Sequence, residues 1–193
     1  EFGKRKLNNA VRKLSENKLW KDEMQGYTDE YLDYIRNTAL SLKSAPSVRI
    51  EQRVYFKEYT LADPNDEIEG RGIADCILLY GDTVHVIDFK YGKGVPVSAE
   101  ENPQLMLYAL GAYQAYRMLY PINKVRLTIV QPRLDSISEW ECPIDALLKF
   151  GEHVKDRAAL AVNGEGDYIP GKEICRFCRA SAQCRARAEE NVR

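Results

Sequence analysis

Gly72-Ile73-Ala74-Asp75, then Asp88-Phe89-Lys90, then Gln104-Leu105-Met106-Leu107-Tyr108 decide how this chain folds. Residues 73–80 (IADCILLY) and 83–90 (TVHVIDFK) are apolar, β-branched-rich runs joined by Gly81-Asp82, a two-residue connection that signals a type I′ or II′ hairpin. With that loop Tyr80 faces Thr83, Asp75 faces Asp88, and Lys90 faces Ile73. Period-two alternation puts Asp75, Ile77 and Leu79 on one sheet face with Val84, Val86, Asp88 and Lys90. Carboxylates paired across a ladder stand roughly 5 Å apart at Cβ, and like charges there repel. A bridging cation removes the conflict. Hard divalent ions such as Mg²⁺ or Mn²⁺ take carboxylate, carbonyl and water oxygens, and the Phe89 carbonyl is a candidate further ligand. The competing interpretation is a pair of solvated strand-end aspartates with Lys90 as their salt-bridge partner. The near-continuous apolar character of both strands, which implies cover on both faces, counts against it.

Asn102-Pro103 supplies an N-cap and a first-turn proline for the next helix. Gln104 and Tyr108 then lie one turn apart on one face, which continues through Gly111, Ala112 and Ala115, small residues that permit close approach to the sheet. Gln104 is therefore expected beside the strand ends; for Tyr108, core packing with a satisfied hydroxyl is the alternative. Glu51 is a further acidic candidate, but it falls on the charged face of its strand (Glu51, Arg53, Lys57), opposite Ile50, Val54 and Phe56.

A second chemical signature closes the chain: Cys175-x2-Cys178-x5-Cys184. Clustered thiolates point to a soft metal site, zinc or an iron–sulfur cluster. Cys76 reads as a small buried apolar residue and Cys142 as a weak substitute ligand. His85 points away from the aspartates and His153 sits on a late helix, so both read as structural.

The ordered motifs GxxD, DxK and QxxxY, with the cysteine tail, resemble the PD-(D/E)XK nuclease superfamily, in particular its RecB-like branch of recombination nuclease domains and CRISPR-associated exonucleases. The string IDFKYGKGVPVSAEENPQLMLYALGAYQAY is similar to phage and prophage proteins of that branch. The resemblance implies a restriction-endonuclease-like core, a mixed central sheet flanked by helices. It implies that Asp75 and Asp88 bind Mg²⁺ or Mn²⁺ and that Lys90 orients or activates the attacking water. Gln104 and Tyr108 would then position substrate, the activity being hydrolysis of DNA, from ends rather than internally. A non-catalytic nucleic-acid-binding module and an endonuclease of the same superfamily are the alternatives. It also implies a 4Fe-4S cluster on Cys175, Cys178 and Cys184 with a fourth, N-terminal cysteine. This sequence has no cysteine before Cys76. Glu1-Phe2-Gly3 reads as a cloning remnant, so that ligand, and a histidine motif used by some relatives, are expected upstream of residue 1. Implied partners are DNA and phage recombination or single-strand-binding proteins, in the cytoplasm of a bacterial host.

Composition sets the limits. With 193 residues and 45% apolar content, one domain can bury a proper core. A net charge of −1 excludes a global electrostatic pull towards nucleic acid, leaving local patches: Lys4-Arg5-Lys6, Lys90 with Lys93, and Arg176, Arg179, Arg185 and Arg187. No apolar run reaches membrane-spanning length and no signal peptide is seen. The odd cysteine count argues against a secreted disulfide framework.

The organisation expected is an N-terminal helical segment (1–46), a core (47–168) and a cysteine-rich tail (169–193) in one structural domain. Helices are predicted over 4–19, 28–43, 103–119, 144–162 and 179–190, the last packed through its alanines. Strands are predicted over 48–60, 73–80, 83–90, 124–131 and 136–142, with a turn at Asp63-Pro64-Asn65-Asp66. This is a mixed α/β order.

Overall fold

The computed structural model describes residues 2–60, 70–172 and 174–192, with side chains from residue 8 onward. The Asp63–Asp66 turn and the side chains of Lys4, Arg5 and Lys6 lie outside the described residues. The fold is mixed α/β: one five-stranded sheet in the order β1-β2-β3-β4-β5, with helices on both faces. Its strands are β1 (Ser47–Tyr55), β2 (Arg71–Tyr80), β3 (Thr83–Phe89), β4 (Lys124–Gln131) and β5 (Ser136–Pro143). The helices are α1 (Phe2–Ser15), α2 (Glu23–Ser41), the single turn α3 (Lys57–Thr60), α4 (Pro103–Tyr116), α5 (Ile144–Asn163) and α6 (Arg185–Val192). All neighbouring strands are antiparallel except β3 and β4, which run parallel. Parallel neighbours need a crossover, and α4 provides it.

The hairpin register is the expected one, from Tyr80 opposite Thr83 to Cys76 opposite Ile87, turned by Gly81 at φ 52°. Two cores result. Beneath α4 and α5 lie Val54, Ala74, Ile77, Leu79, Val84, Val86, Leu127 and Ile129. Beneath α2 lie Ile35, Cys76, Leu78, Ile87 and Val130. Gly111 brings α4 onto β1, since a Cβ there would meet the Val54 Cβ at 2.9 Å. Asn102 caps α4 by accepting from the Leu105 N–H at 3.2 Å, and α5 stops at Gly164 in the left-handed region, φ 70°.

Several expectations are corrected. The first strand ends at Tyr55, not residue 60, because Phe56 and, within α3, Tyr59 turn into the core; Tyr59 lies where a Cβ on Gly151 of α5 would be, 2.5 Å from its Cε1. Helix α4 stops at Tyr116, and residues 117–119 leave in turns before Pro121, which disfavours helix in the residue preceding it. In the tail only Arg185–Val192 is helical, and it buries no residue, so it is not packed through its alanines.

The alternation of β1 and β2 is also corrected. Ala74 belongs with Ile77 and Leu79 under α4 and α5, whereas Cys76 and Leu78 lie under α2. Period two therefore slips by one at Asp75. On β1 the partner position of Asp75 is Glu51, which interrupts the pairing between Ile50–Cys76 and Gln52–Ala74. Glu51 takes a left-handed φ of 50°. In consequence Ile50 is 59% exposed while Val54 is buried; the two do not share a face. The double slip is a kink running across both strands at the acidic residues.

Candidate active site

The kink opens the sheet where the carboxylates are. The β2–β3 ladder ends at Cys76–Ile87, and the next β3 donor, the Phe89 N–H, is taken by the Asp75 side chain at 2.8 Å. Asp75 thus substitutes for backbone in the ladder, rather than facing Asp88 as an undistorted pair. Asp88 stays on the α4 face beside Ile129 of β4 and is only 3% exposed.

Lys90, the first residue past β3, holds its backbone to β4 through Val130 O at 2.9 Å. Its Nζ stands 2.9 Å from the buried Asp88 Oδ2, and beyond this ion pair Oδ2 has no hydrogen-bond partner. Burial pushes the Asp88 carboxyl above its ordinary value, Lys90 beside it pulls it back down, and Asp75 adds a further push upward. Lys90 Nζ donates to Gln104 Oε1 at 2.9 Å, and Gln104 Nε2 donates to the Tyr108 hydroxyl at 3.0 Å. The Lys90 ammonium can only donate, so it fixes Oε1 towards the lysine and leaves Nε2 to donate to Tyr108. The Tyr108 ring rests on Gly72, where a Cβ would lie 2.3 Å from Cε1; any other side chain at residue 72 would expel it.

Asp88, Lys90, Gln104 and Tyr108 therefore form one continuous polar relay with Asp75 beside it. All five, with Gly72, are brought to the carboxyl end of β3, where open α/β sheets bind ligands. The donor set suits a hard divalent cation: two carboxylates, one with a buried oxygen met by the Lys90 ammonium and by no other hydrogen-bonding group. No three His, Cys, Asp or Glu side chains converge as a metal site among the described residues. A cation here would take its remaining ligands from backbone oxygen and water, as Mg²⁺ commonly does.

Two contributors, Tyr31 and Gln131, escaped the sequence, and Glu51, an acidic candidate there, takes a position that the sequence did not show. Glu51 sits in register with Asp75, placed by a left-handed backbone that no local pattern announces. Tyr31 of α2 donates to Ile87 O at 3.1 Å; burial, then Cys76, Asp75, Asp88 and Glu51, push its phenol up, so it approaches the carboxylates from the opposite face. Gln131, 2% exposed at the end of β4, donates to Gly92 O and Val95 O at 3.0 and 3.1 Å and accepts from Val97 N at 3.1 Å. It pins the loop between Lys90 and α4. A polar residue closing an apolar strand was the only available hint.

The remaining candidates do not join the site. His85 is fully buried on the α2 face, with Nε2 2.8 Å from Thr128 Oγ1, and burial followed by Arg126 lowers it to about 3. His153 lies on α5, exposed. Cys76 is fully buried, its thiol pushed up to about 12 by burial and then by Asp75, and Cys142 is buried in the larger core. Cys175, Cys178 and Cys184 are not gathered into a ligand cluster: Cys175 Sγ accepts from Gly171 N at 3.4 Å, and Cys178 is exposed. The expected shared cofactor finds no formed site in the described tail.

The family described as "Protein of unknown function (DUF2800)" matches residues 1–193. The chain belongs to this family. Among solved structures, the DUF2800 chain is similar to one titled "Crystal structure of SSO0001", at 15% identity and a TM-score of 0.39, over 85% of this chain and 69% of that one. No helix among its described residues is long and apolar enough to cross a membrane.

Proposed function

We propose that this chain is a Mg²⁺- or Mn²⁺-dependent deoxyribonuclease, an exonuclease of the RecB-like branch of the PD-(D/E)XK superfamily with a restriction-endonuclease-like core. The observation that carries the proposal is the unbroken relay Asp88–Lys90–Gln104–Tyr108 with Asp75 alongside. A salt-bridge partner for solvated aspartates would not need a glutamine and a tyrosine to aim it, nor a 3% exposed carboxylate to receive it.

Asp75 and Asp88 would hold the metal, which when bound supplies Lewis acidity and lowers the pKa of water. The chain's own groups do the positioning. Lys90 presents a compact cation whose direction is set by Gln104, itself oriented by Tyr108. From there it can order the attacking water or offset charge growing on the phosphate. Asp88, pushed up by burial, gains most from a nearby cation. Gln131 keeps the overlying loop in one conformation, so the site is ordered before substrate arrives.

The test is digestion of end-labelled linear and closed circular DNA, single- and double-stranded, with Mn²⁺ or with EDTA. Release of mononucleotides or short products from linear DNA only, abolished by EDTA, is expected. Cutting of closed circles assigns an endonuclease. Binding without cutting under every metal assigns a non-catalytic module.

A further inference from the structure

On the face of the sheet opposite the relay, the two chain neighbours of Lys90 carry aromatic rings. Phe89 and Tyr91 belong to a four-ring ladder, with centroids 5.1 Å apart from Tyr31 to Phe89, 6.4 Å from Phe89 to Tyr91 and 6.1 Å from Tyr91 to Tyr27. The Arg133 guanidinium covers the Tyr91 ring at 4.7 Å. Glu23 holds both in place, accepting from the Tyr91 hydroxyl at 3.0 Å and pairing with Arg133 at 3.2 Å. Arg133 Nε is buried with no partner, a donor left over.

Three rings of the ladder, Tyr31, Phe89 and Tyr91, form one wall of a groove of about 620 Å³, completed by α1, the following connection and α2 through Val11, Leu14, Trp20 and Met24, while Tyr27 backs Tyr91 from outside it. Leu19 stands on its lip, 80% exposed. The lining is flat rings and aliphatic carbon, with Asn17, Gln25 and Thr28 as scattered hydrogen-bonding groups and, among the described residues, Asp29 as its one charged residue, held by the Gln25 amide at 2.9 Å.

Three observations select the occupant. Ring faces topped by a guanidinium form the platform on which unpaired bases stack, largely irrespective of sequence. The platform adjoins the end of β3 that carries the candidate active site, since Phe89 and Tyr91 are the residues on either side of Lys90; a strand with a phosphate at Lys90 would reach the groove by passing round that end of the sheet. Lys90, Lys93 and Arg133 give that end of the molecule cations matching a sugar–phosphate chain. A base inside a duplex is stacked on both sides and cannot enter. We infer that this groove is a stacking subsite for unpaired bases at the end of single-stranded DNA. The inference rests on the nuclease proposal and narrows its substrate class.

The experiment uses the full chain carrying Trp140→Phe, which leaves Trp20 as its sole tryptophan, titrated in EDTA with a short oligothymidylate or with a closed hairpin duplex of equal length. The oligothymidylate should quench Trp20 emission, and the duplex should not. Tyr91→Ala and Tyr27→Ala should each weaken oligothymidylate binding roughly tenfold, with Tyr91→Phe close to the parent. Tyr27 makes an edge contact with Tyr91 from outside the groove, so its loss frees the Tyr91 ring while keeping the Tyr91–Glu23 bond, and it reports on the placement of that ring even if the Tyr91→Ala variant folds poorly. DNA bound and cut with Trp20 emission unmoved and both alanine variants at parental affinity would overturn the inference while leaving the nuclease proposal intact. No binding or cleavage of either DNA would remove both. A dimer in sedimentation that Trp20→Asp dissolves would assign the groove to a second copy and overturn the inference alone.

Discussion

Two regions of this chain are dense in metal-ligating chemistry, and only one is assembled. At the carboxyl end of β3 and the adjoining amino-terminal half of β2, residues spread over the span 72–108 meet in a relay whose links are each about one hydrogen bond long. In the tail, three cysteines within ten residues lie in turns and irregular backbone ahead of α6, a helix that buries no residue, and are not gathered as a metal site among the described residues. Proximity in sequence is thus a poorer guide than attachment to a core. Strand register and helical periodicity are rigid rulers once both faces are buried, whereas a tail with no apolar stripe has nothing to hold its ligands at coordination distance.

The largest effect expected on the assembled side is at Asp88. Asp88→Ala should abolish Mn²⁺-supported cleavage while circular dichroism shows an unchanged fold, since a metal ligand is lost but no core side chain is. Asp88→Asn should raise the melting temperature of the metal-free protein at neutral pH. The sign follows from the upward push on Asp88: the folded state holds this proton more tightly than the unfolded chain, so its contribution favours folding at low pH and is lost as pH rises through the raised value. The advantage of Asn should therefore shrink as pH falls into the ordinary carboxylate range. Cleavage by Asp88→Ala at even a tenth of the parent rate would break the contrast, leaving both regions without assembled chemistry.

Lys90→Arg ranks next. Arginine keeps the charge but is a planar fork, not a compact donor that Gln104 can aim. Cleavage should fall about a hundredfold or more, the scale associated with losing one positioned transition-state donor, with DNA affinity nearly unchanged. A parental rate would reduce Lys90 to a salt-bridge partner. Gln104→Ala should cost less, roughly tenfold, because a neutral hydrogen bond contributes about 1 kcal/mol. Single-turnover rates in Mn²⁺ measure both.

The kink supplies a smaller test, on stability. Glu51 occupies a left-handed conformation that costs an L-residue roughly 1–2 kcal/mol and glycine little. Glu51→Gly should raise the midpoint of chemical denaturation of the metal-free protein by an amount equivalent to about 1 kcal/mol. A loss of stability would mean that the Glu51 side chain contributes more than the backbone strain it imposes.

How far the sequence carried follows the same division. The Gly81-Asp82 hairpin, its register, the Asn102 cap and the shared face of Gln104 and Tyr108 were legible because each depends on a local rule. The slip at Glu51 and Asp75 was not: period two cannot see a residue that changes phase, and neither residue is the glycine or asparagine that normally marks a left-handed position. Tyr31 and Gln131 reach the site from elements remote in sequence, so only tertiary packing reveals them. The cysteine spacing was legible as chemistry but not as geometry, because nothing in residues 170–192 says where the sulfurs come to rest.

The smallest expected effect is on that tail. Converting Cys175, Cys178 and Cys184 together to serine should leave the melting temperature of this chain within about a degree and its Mn²⁺-supported cleavage unchanged, since none of the three is buried and α6 packs no side chain into the core. The contrast sharpens when metal is added. A ligand bound only by the folded state stabilises it by RT ln(1 + [L]/Kd), about 2.7 kcal/mol at a hundred times Kd. If anaerobic iron and sulfide, or zinc, raised the melting temperature of the parent by several degrees and left the triple variant unmoved, the tail would be a site that its metal assembles. The difference between the two regions would then be one of timing: the relay is formed in advance by the core, while the cysteines wait for their ligand.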